Sequence, residues 1–404
     1  MKLLAISEHY FPRVGGTVNY VHETLSALAA LGVDVELMVP GPMPKGMNPQ
    51  PYRVHWIDAG YPAHGDPTRD QRYDFCRKVN VLALQAATGS ARPDLLHVLF
   101  GLFVMETLDT ARLRMAGLPS IATVHNVPPM ECKVVPDTAP ILAQLRETMR
   151  LWGVTWKNAT RLKKHAYDLY VVPSEQVRGM LNSLTKGPVA VIGHGHTSDL
   201  QALMQPPRKR GPGDGKARLL TVGGYAPHKR QHIIPQVAAR LREAGLEFEW
   251  DIVGPTSRLS GYYEMVCEAI TDHGLTDVVR AHGSVSFAQL AKLYDVAHLY
   301  VQPSIEEGFC ITALDAAAAG LPVIASPAGA LQAIAEISGG MTVESVPSKL
   351  SDAITAFVDG DYWKDPHVQV ESVRERFSWG GAATALLYHY GRRLQNANST
   401  STST

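Results

Sequence analysis

Two acids, Glu307 and Asp315, bracket a run that could hold a phosphate-bearing ligand. The stretch reads Pro303-Ser304-Ile305-Glu306-Glu307-Gly308-Phe309-Cys310-Ile311-Thr312-Ala313-Leu314-Asp315, then continues through Ala316-Ala317-Ala318-Ala319 to Gly320-Leu321-Pro322-Val323-Ile324-Ala325-Ser326. Its composition predicts a loop ending in an acid, a helix opening at glycine, a stop at Gly320 and Pro322, and a buried strand. At about 1.5 Å rise per residue, the two carboxylates would stand on the order of 12 Å apart on roughly one helix side. Between them the backbone N–H groups of Gly308, Phe309 and Cys310, with Ile311 behind them, would face outward at a helix start and form an anion site. Carboxylates accepting hydroxyl hydrogen bonds on either side of an anion site would suit a sugar, a diphosphate and a ribose laid end to end. The competing reading is an ordinary amphipathic helix with acids near its start, which the helix dipole favours in any case.

Three further positions carry comparable chemistry. Gly15-Gly16-Thr17 lies between a first strand and a first helix, where glycines let backbone approach a ligand and the helix start favours an anion. The spacing is not G-x-G-x-x-G, so the nicotinamide fingerprint is absent. His125 closes the apolar run Ile121-Ala122-Thr123-Val124 and precedes Asn126 and Pro128-Pro129. It could approach a reacting centre, or simply be hydrogen-bonded for structure. Lys229 and Arg230 end the segment Thr221-Val222-Gly223-Gly224-Tyr225-Ala226-Pro227-His228. Cations at a helix start run against the dipole, which points to an anionic ligand.

These residues need a scaffold that presents loops at strand ends. The first half predicts strands at Lys2 to Ser7, Val33 to Pro40, Val54 to Ile57, Leu95 to Val98, Ser120 to Val124 and Leu169 to Val172, with a helix over Val18 to Leu31. A second series is expected from Val189, with strands at Ala190 to Ile192, Arg218 to Val222, Glu249 to Val253, Val278 to Ala281, Leu299 to Val301 and Val323 to Ala325. Strands alternating with helices predict parallel sheets, and such sheets bind ligands at their carboxyl ends. The expected division is an acceptor-side Rossmann-like domain over 1–187, joined by a C-terminal helix over 378–395, and a second Rossmann-like domain over 188–377. The polar tail 396–404 is expected to be disordered.

Composition narrows the class. A chain of 404 residues with 45% hydrophobic content fits a two-domain globular protein. Lys plus Arg and Asp plus Glu are equal at 38 each, so no basic field suggests nucleic acid. Cys76, Cys132, Cys267 and Cys310 are widely spaced and form no C-x-x-C metal or redox motif. A reduced, cytoplasmic setting is expected, without signal peptide or spanning segment. The run from Leu145 to Lys164 carries Arg146, Arg150, Lys157, Arg161, Lys163 and Lys164 beside Trp152 and Trp156. It reads either as a packed helix with a solvated basic face or as a peripheral contact with an anionic membrane, such as the inner membrane surface.

The segment from Pro303 to Ser326 resembles the EX7E signature of the GT-B glycosyltransferases, in particular retaining family 4, with Asp315 replacing the usual second Glu. The resemblance covers almost the whole chain. It implies an α/β GT-B fold: two doubly wound Rossmann-like domains facing across a cleft, the last helix crossing back to the first domain. It implies a nucleotide-diphosphate sugar as donor, UDP favoured, and a hydroxyl acceptor on a saccharide, a lipid-linked saccharide or a small natural product. Glu307 would meet the sugar hydroxyls and Asp315 the ribose. Gly15 and Gly16 would face the diphosphate, and His125 the sugar and the reacting centre. Lys229 matches the lysine of the family's G-R-x…K-G motif, but Gly224 stands in the arginine position, which leaves Arg230 or another base to replace it. Gly195 is the residue that persists from the family's P-N-G-V-D turn, in Ile192-Gly193-His194-Gly195-His196-Thr197. His97 resembles a D-x-x-H strand residue, structural or acceptor-side, and His9 is a weaker acceptor-side candidate. The family needs no metal or other cofactor. Replacing Glu307 with Ala should then abolish transfer and leave the fold intact. Other GT-B activities, epimerase or phosphorylase, and a non-catalytic nucleotide-sugar-binding subunit remain open.

Overall fold

The computed structural model describes residues 1–13, 15–62, 66–127, 134–136, 139–205, 215–256, 261–360 and 366–401. Cys132, the Pro128-Pro129 loop and most of the Gln205–Gly215 loop lie outside them. The chain divides into two compact units, one comprising 1–127, 156–195 and 378–404, the other 128–155 and 196–377.

The first unit is built on β1 (Lys2–Ser7), α1 (Gly16–Ala30), β2 (Asp34–Pro40), β3 (Arg53–Ile57), α2 (Arg69–Thr88), β4 (Leu95–Phe100), α3 (Leu102–Thr107), α4 (Thr110–Met115) and β5 (Ser120–Thr123). Then come α5 (Ile141–Lys164), whose residues fall partly in each unit, β6 (Leu169–Val172), α6 (Glu175–Asn182) and β7 (Val189–Val191). The seven strands form one sheet in the order β3-β2-β1-β4-β5-β6-β7, with parallel pairing throughout. Local sequence starts the helices where the sheet needs them. Thr68 and Gln71 form a capping box at α2, the Thr68 hydroxyl accepting from Gln71 N–H and the Gln71 side-chain Oε1 accepting from Thr68 N–H. Central strands are buried on both faces and read as near-continuous apolar runs, as in Leu3-Leu4-Ala5-Ile6.

The second unit holds α7 (Ser198–Leu203), β8 (Ala217–Val222), α8 (Ile234–Glu243), β9 (Phe248–Val253), α9 (Tyr262–Asp272), β10 (Val279–Ala281), α10 (Phe287–Val296), β11 (Leu299–Gln302), α11 (Ile311–Ala318), β12 (Val323–Ala325), α12 (Leu331–Ile337), β13 (Met341–Thr342), α13 (Pro347–Asp359) and α14 (Pro366–Arg376). Its six strands run β10-β9-β8-β11-β12-β13, again parallel. Alternation along each strand feeds two separate cores. Leu219, Trp250, Val301 and Ile324 pack with α8, α9 and α13. Their neighbours Leu220, Val253, Tyr300 and Val323 pack with α10, α11 and α12 on the opposite face. Each fully buried Leu, Ile or Val of this kind stabilises the fold by about 1.5–3 kcal/mol.

The closing helix α15 (Trp379–Ser401) returns to the first unit, where Trp379, Ala383, Leu386 and Tyr390 share a core with Tyr20, Leu25 and Leu99. Gly195 makes this fit possible, because a Cβ there would lie 2.6 Å from the Trp379 amide nitrogen.

Four expectations need correction. The strand near Ala190 belongs to the first sheet, where Ala190 pairs with Val171 of β6, so the second series starts at β8 rather than at 188. Short apolar strands carry no mark of which sheet they join, and pairing decides. α15 runs through Ser401, across tail residues expected to be disordered, because a helix nucleated by packed residues extends at one hydrogen bond per added residue. β13 joins the sheet edge with only two residues, too short to leave a periodic signal. Finally, α11 opens at Ile311, not at Gly308, because Cys310 sits in the left-handed region at φ 77° and breaks the helical path.

Candidate functional site

The later opening of α11 leaves Glu307 in the loop that follows β11. The side chain is almost fully buried, at 3% exposure, and pairs with Lys229 at 2.5 Å, Lys229 itself being 12% exposed. Two features bring them together. Pro227–Lys229 form a 3-10 turn after β8, and Ile305 N–H donates to the His228 carbonyl at 2.9 Å, tying that turn to the loop. Every second residue along β11 and its extension then builds a polar relay. The Tyr300 hydroxyl donates to Gln302 Oε1 (2.8 Å), Gln302 Nε2 donates to Ser304 Oγ (2.7 Å), and the Ser304 hydroxyl donates to Glu307 Oε1 (2.7 Å). These residues are buried, so each satisfied bond also avoids a desolvation penalty of about 1–3 kcal/mol. Gly329 closes over the loop with φ 59°, and a Cβ there would stand 2.2 Å from the Glu307 carbonyl oxygen. No other residue fits both requirements.

Gly308, Phe309 and Cys310 lead from Glu307 into α11, and Ile311 opens it. Phe309 and Cys310 are buried, the former edge-on to Phe377 with ring centroids 5.9 Å apart. Burial pushes the Cys310 thiol up to about 12, with the Glu307 charge adding to the shift, so it is a packed thiol and not a nucleophile. Arg230 follows Lys229 directly and is half-buried with φ 57°, a left-handed backbone that a residue with a side chain adopts at a cost of about 1–3 kcal/mol. It occupies the place where the motif it resembles carries glycine.

Asp315 lies on α11 and is buried at 2% exposure. Its Oδ1 accepts from the Thr197 N–H at 2.6 Å and its Oδ2 from the Thr197 hydroxyl at 2.9 Å, while Gln201 Nε2 donates to its carbonyl. Both carboxylate oxygens are thus engaged in holding the start of α7. Sequence reading missed Thr197, although a Thr preceding Ser198-Asp199 is a visible helix-start signal. Asp315→Ala is expected to lower unfolding stability by about 1–3 kcal/mol, since the buried Thr197 donors lose their acceptor. Denaturant titration measures it, and an unchanged midpoint would refute the tether.

In the first unit, Gly15 precedes α1 with φ 144° and Gly16 is its first residue. His125 follows β5, half-buried, with Nε2 3.0 Å from the Leu99 carbonyl. A carbonyl can only accept, so Nε2 carries the proton. The ring stands edge-on to Tyr20 of α1 at 4.5 Å and 5.4 Å from His194. His97 is fully buried between the Tyr390 hydroxyl (2.6 Å) and Thr123 Oγ1 (2.8 Å), and burial lowers its pKa to about 3. It is a neutral structural residue. His9 rests against Phe100 with ring centroids 4.6 Å apart. Glu8, missed by sequence reading, follows β1 and is 4% exposed, and burial raises its carboxyl to about 7, partly opposed by Arg72. Among the described residues no three His, Cys, Asp or Glu side chains converge so as to hold a metal ion. Glu307 and Lys229 thus meet in the second unit, next in sequence to the start of α11 and to Arg230, while Gly15, Gly16 and His125 belong to the first.

Comparison with known proteins adds to this geometry. Residues 206–376 match the family described as Glycosyl transferases group 1, and residues 14–200 match Glycosyltransferase Family 4. A MMP alpha-(1->4)-mannosyltransferase of Mycolicibacterium hassiacum is 24% identical over 379 residues, covering 88% of each chain. Among solved structures, sucrose-phosphate synthase from Thermosynechococcus elongatus superimposes with a TM-score of 0.74 at 23% identity, over 98% of this chain and 99% of that one. An Anabaena protein in complex with UDP and glucose gives 0.66 at 16% identity, over 97% and 100%.

Proposed function

The chain belongs to the family 4 glycosyltransferases of GT-B fold and is an enzyme of sugar transfer, and from that premise we propose a retaining, metal-independent reaction with a nucleotide-diphosphate sugar, UDP-linked by preference. The observation that carries this reading is the buried Lys229–Glu307 pair beside the start of α11. There a cation and the start of a helix meet a carboxylate able to accept from sugar hydroxyls. The UDP-bound Anabaena neighbour supports the choice of base.

In this reading the acceptor hydroxyl oxygen attacks the anomeric carbon from the face that the leaving group departs. The bond from that carbon to the phosphate oxygen breaks, the nucleoside diphosphate leaves with the electron pair, and a phosphate oxygen takes the acceptor's proton. Lys229, Arg230 and the amides of Gly308 to Ile311 stabilise the charge that grows on the diphosphate. Glu307 orients the sugar. By the family resemblance, Gly15 and Gly16 are assigned to the diphosphate and His125 to the sugar. Asp315 acts as a positioning residue through Thr197. The acceptor is a hydroxyl-bearing saccharide, free or lipid-linked, or a small natural product.

Calorimetry with UDP, GDP, ADP and TDP, then with the sugar donors of the base that binds, tests this. Selective binding of one nucleotide, unchanged by EDTA, and turnover of one of its sugars in EDTA are the expected results. Turnover that EDTA abolishes would refute metal independence. Binding without turnover of any donor would assign the chain to a non-catalytic subunit, and product formed without acceptor would assign an epimerase.

A further inference from the structure

α5 presents a large apolar surface to water. Ile141, Leu142, Leu145, Met149, Trp152 and Trp156 are 74, 68, 55, 67, 75 and 65% exposed. At about 100° per residue these six fall within about 100° of arc, a single stripe along the helix. The stripe is not the face by which α5 packs. Buried Glu147 and half-buried Leu151 and Val154 lie on another arc, and Glu147 accepts from Val134 N–H at 2.6 Å there. Exposed Arg146, Arg150 and Lys157 occupy the arc next to the stripe, and exposed Lys163 continues the stripe's own arc one residue before the helix ends at Lys164. Arg150 is paired with Glu147 at 2.7 Å. The helix carries six basic residues against one acid, in a chain whose formal net charge is +0, so positive charge is concentrated here.

We infer that α5 docks flat on an anionic lipid bilayer. Its apolar stripe enters the boundary between headgroups and acyl chains, and Arg146, Lys157 and Lys163 reach the anionic headgroups. Packed inner face, apolar outer stripe and adjoining basic arc form the three-sided pattern of a helix lying in the interface plane. Two tryptophans on the stripe suit the same boundary, where an apolar ring and a polar N–H both find their environment. No described helix is long and apolar enough to cross a membrane, so the contact is peripheral. A second copy of the chain fits less well, because apposed stripes would bring the two basic arcs together. This inference goes beyond the sugar-transfer reading and does not depend on it.

Co-sedimentation of the full chain with vesicles tests it, using phosphatidylcholine alone and phosphatidylcholine mixed with phosphatidylglycerol. The protein is expected to pellet with the mixed vesicles and about 100-fold more weakly with neutral ones, since each exposed base near an anionic surface contributes about fivefold. Trp152→Ser/Trp156→Ser should lower binding at least about tenfold. Arg146→Gln/Lys157→Gln/Lys163→Gln should remove the preference for anionic lipid. Unchanged melting curves show that these surface variants are folded, and quenching of wild-type tryptophan fluorescence by brominated lipid reports insertion independently. Failure to pellet with either vesicle overturns the proposal, as does binding that neither variant weakens. So does a wild-type dimer, seen by sedimentation equilibrium and lost in the tryptophan variant, in a protein that ignores vesicles.

Discussion

Glu307→Ala is expected to lose sugar transfer by at least about 1,000-fold and also to destabilise the protein by about 3–5 kcal/mol. The second effect departs from the sequence expectation of an intact fold. It follows from burial: Lys229 would remain enclosed at 12% exposure with its carboxylate gone. The two effects can be separated. Lys229→Met/Glu307→Gln removes both charges together, retains an acceptor for the Ser304 hydroxyl, and should melt close to the wild type, because replacing a buried pair by matched neutral groups is often neutral. It should nonetheless be as inactive as the single variant. Thermal melting and initial rates on the same preparations decide the matter. Activity within tenfold of wild type in the double variant would remove this pair from the chemistry.

Arg230→Gly should move stability and activity in opposite directions. Glycine relieves the left-handed backbone at φ 57° and should raise unfolding stability by about 1 kcal/mol, after allowance for its greater freedom in the unfolded chain. Loss of the guanidinium should lower turnover by about 10- to 100-fold, the equivalent of one hydrogen bond to a charged group. Arg230→Ala keeps the strain and should lose activity without gaining stability. A strained arginine at a position suited to glycine, six residues after the glycine that stands for the family arginine, is the arrangement expected if the cation has been relocated along the loop. Normal turnover in both variants, measured with saturating and subsaturating donor, would show that Arg230 does not meet the diphosphate.

Much of this was legible before any coordinates. The alternation of short β-rich runs with helical ones gave two parallel sheets, since the central strands are buried on both faces and read as apolar blocks. Glu307, Lys229 and the glycine loop stood out because their types are awkward for plain structure at those places. What stayed hidden depended on pairing and on single dihedrals. β7 has three residues and nothing in them names its partner sheet. Cys310 adopts a left-handed conformation that its type does not announce, which moved the helix start from Gly308 to Ile311. The partner of Asp315 lies 118 residues away in sequence, beyond any local pattern. Glu8 is one acid among many until burial singles it out.

Lys229 already holds an anion at 2.5 Å. In the proposed reaction a diphosphate arriving there would exchange one ion pair for another, so the affinity gained would be the difference between two pairs and not the whole of one. The same exchange runs backwards after the bond has broken. As the nucleoside diphosphate departed, Glu307 would recapture the lysine. Were release to limit turnover, a carboxylate waiting beside the cation would shorten the residence time of the spent nucleotide, and the tempo of the proposed cycle would be set by an acid that takes no part in carrying the proton.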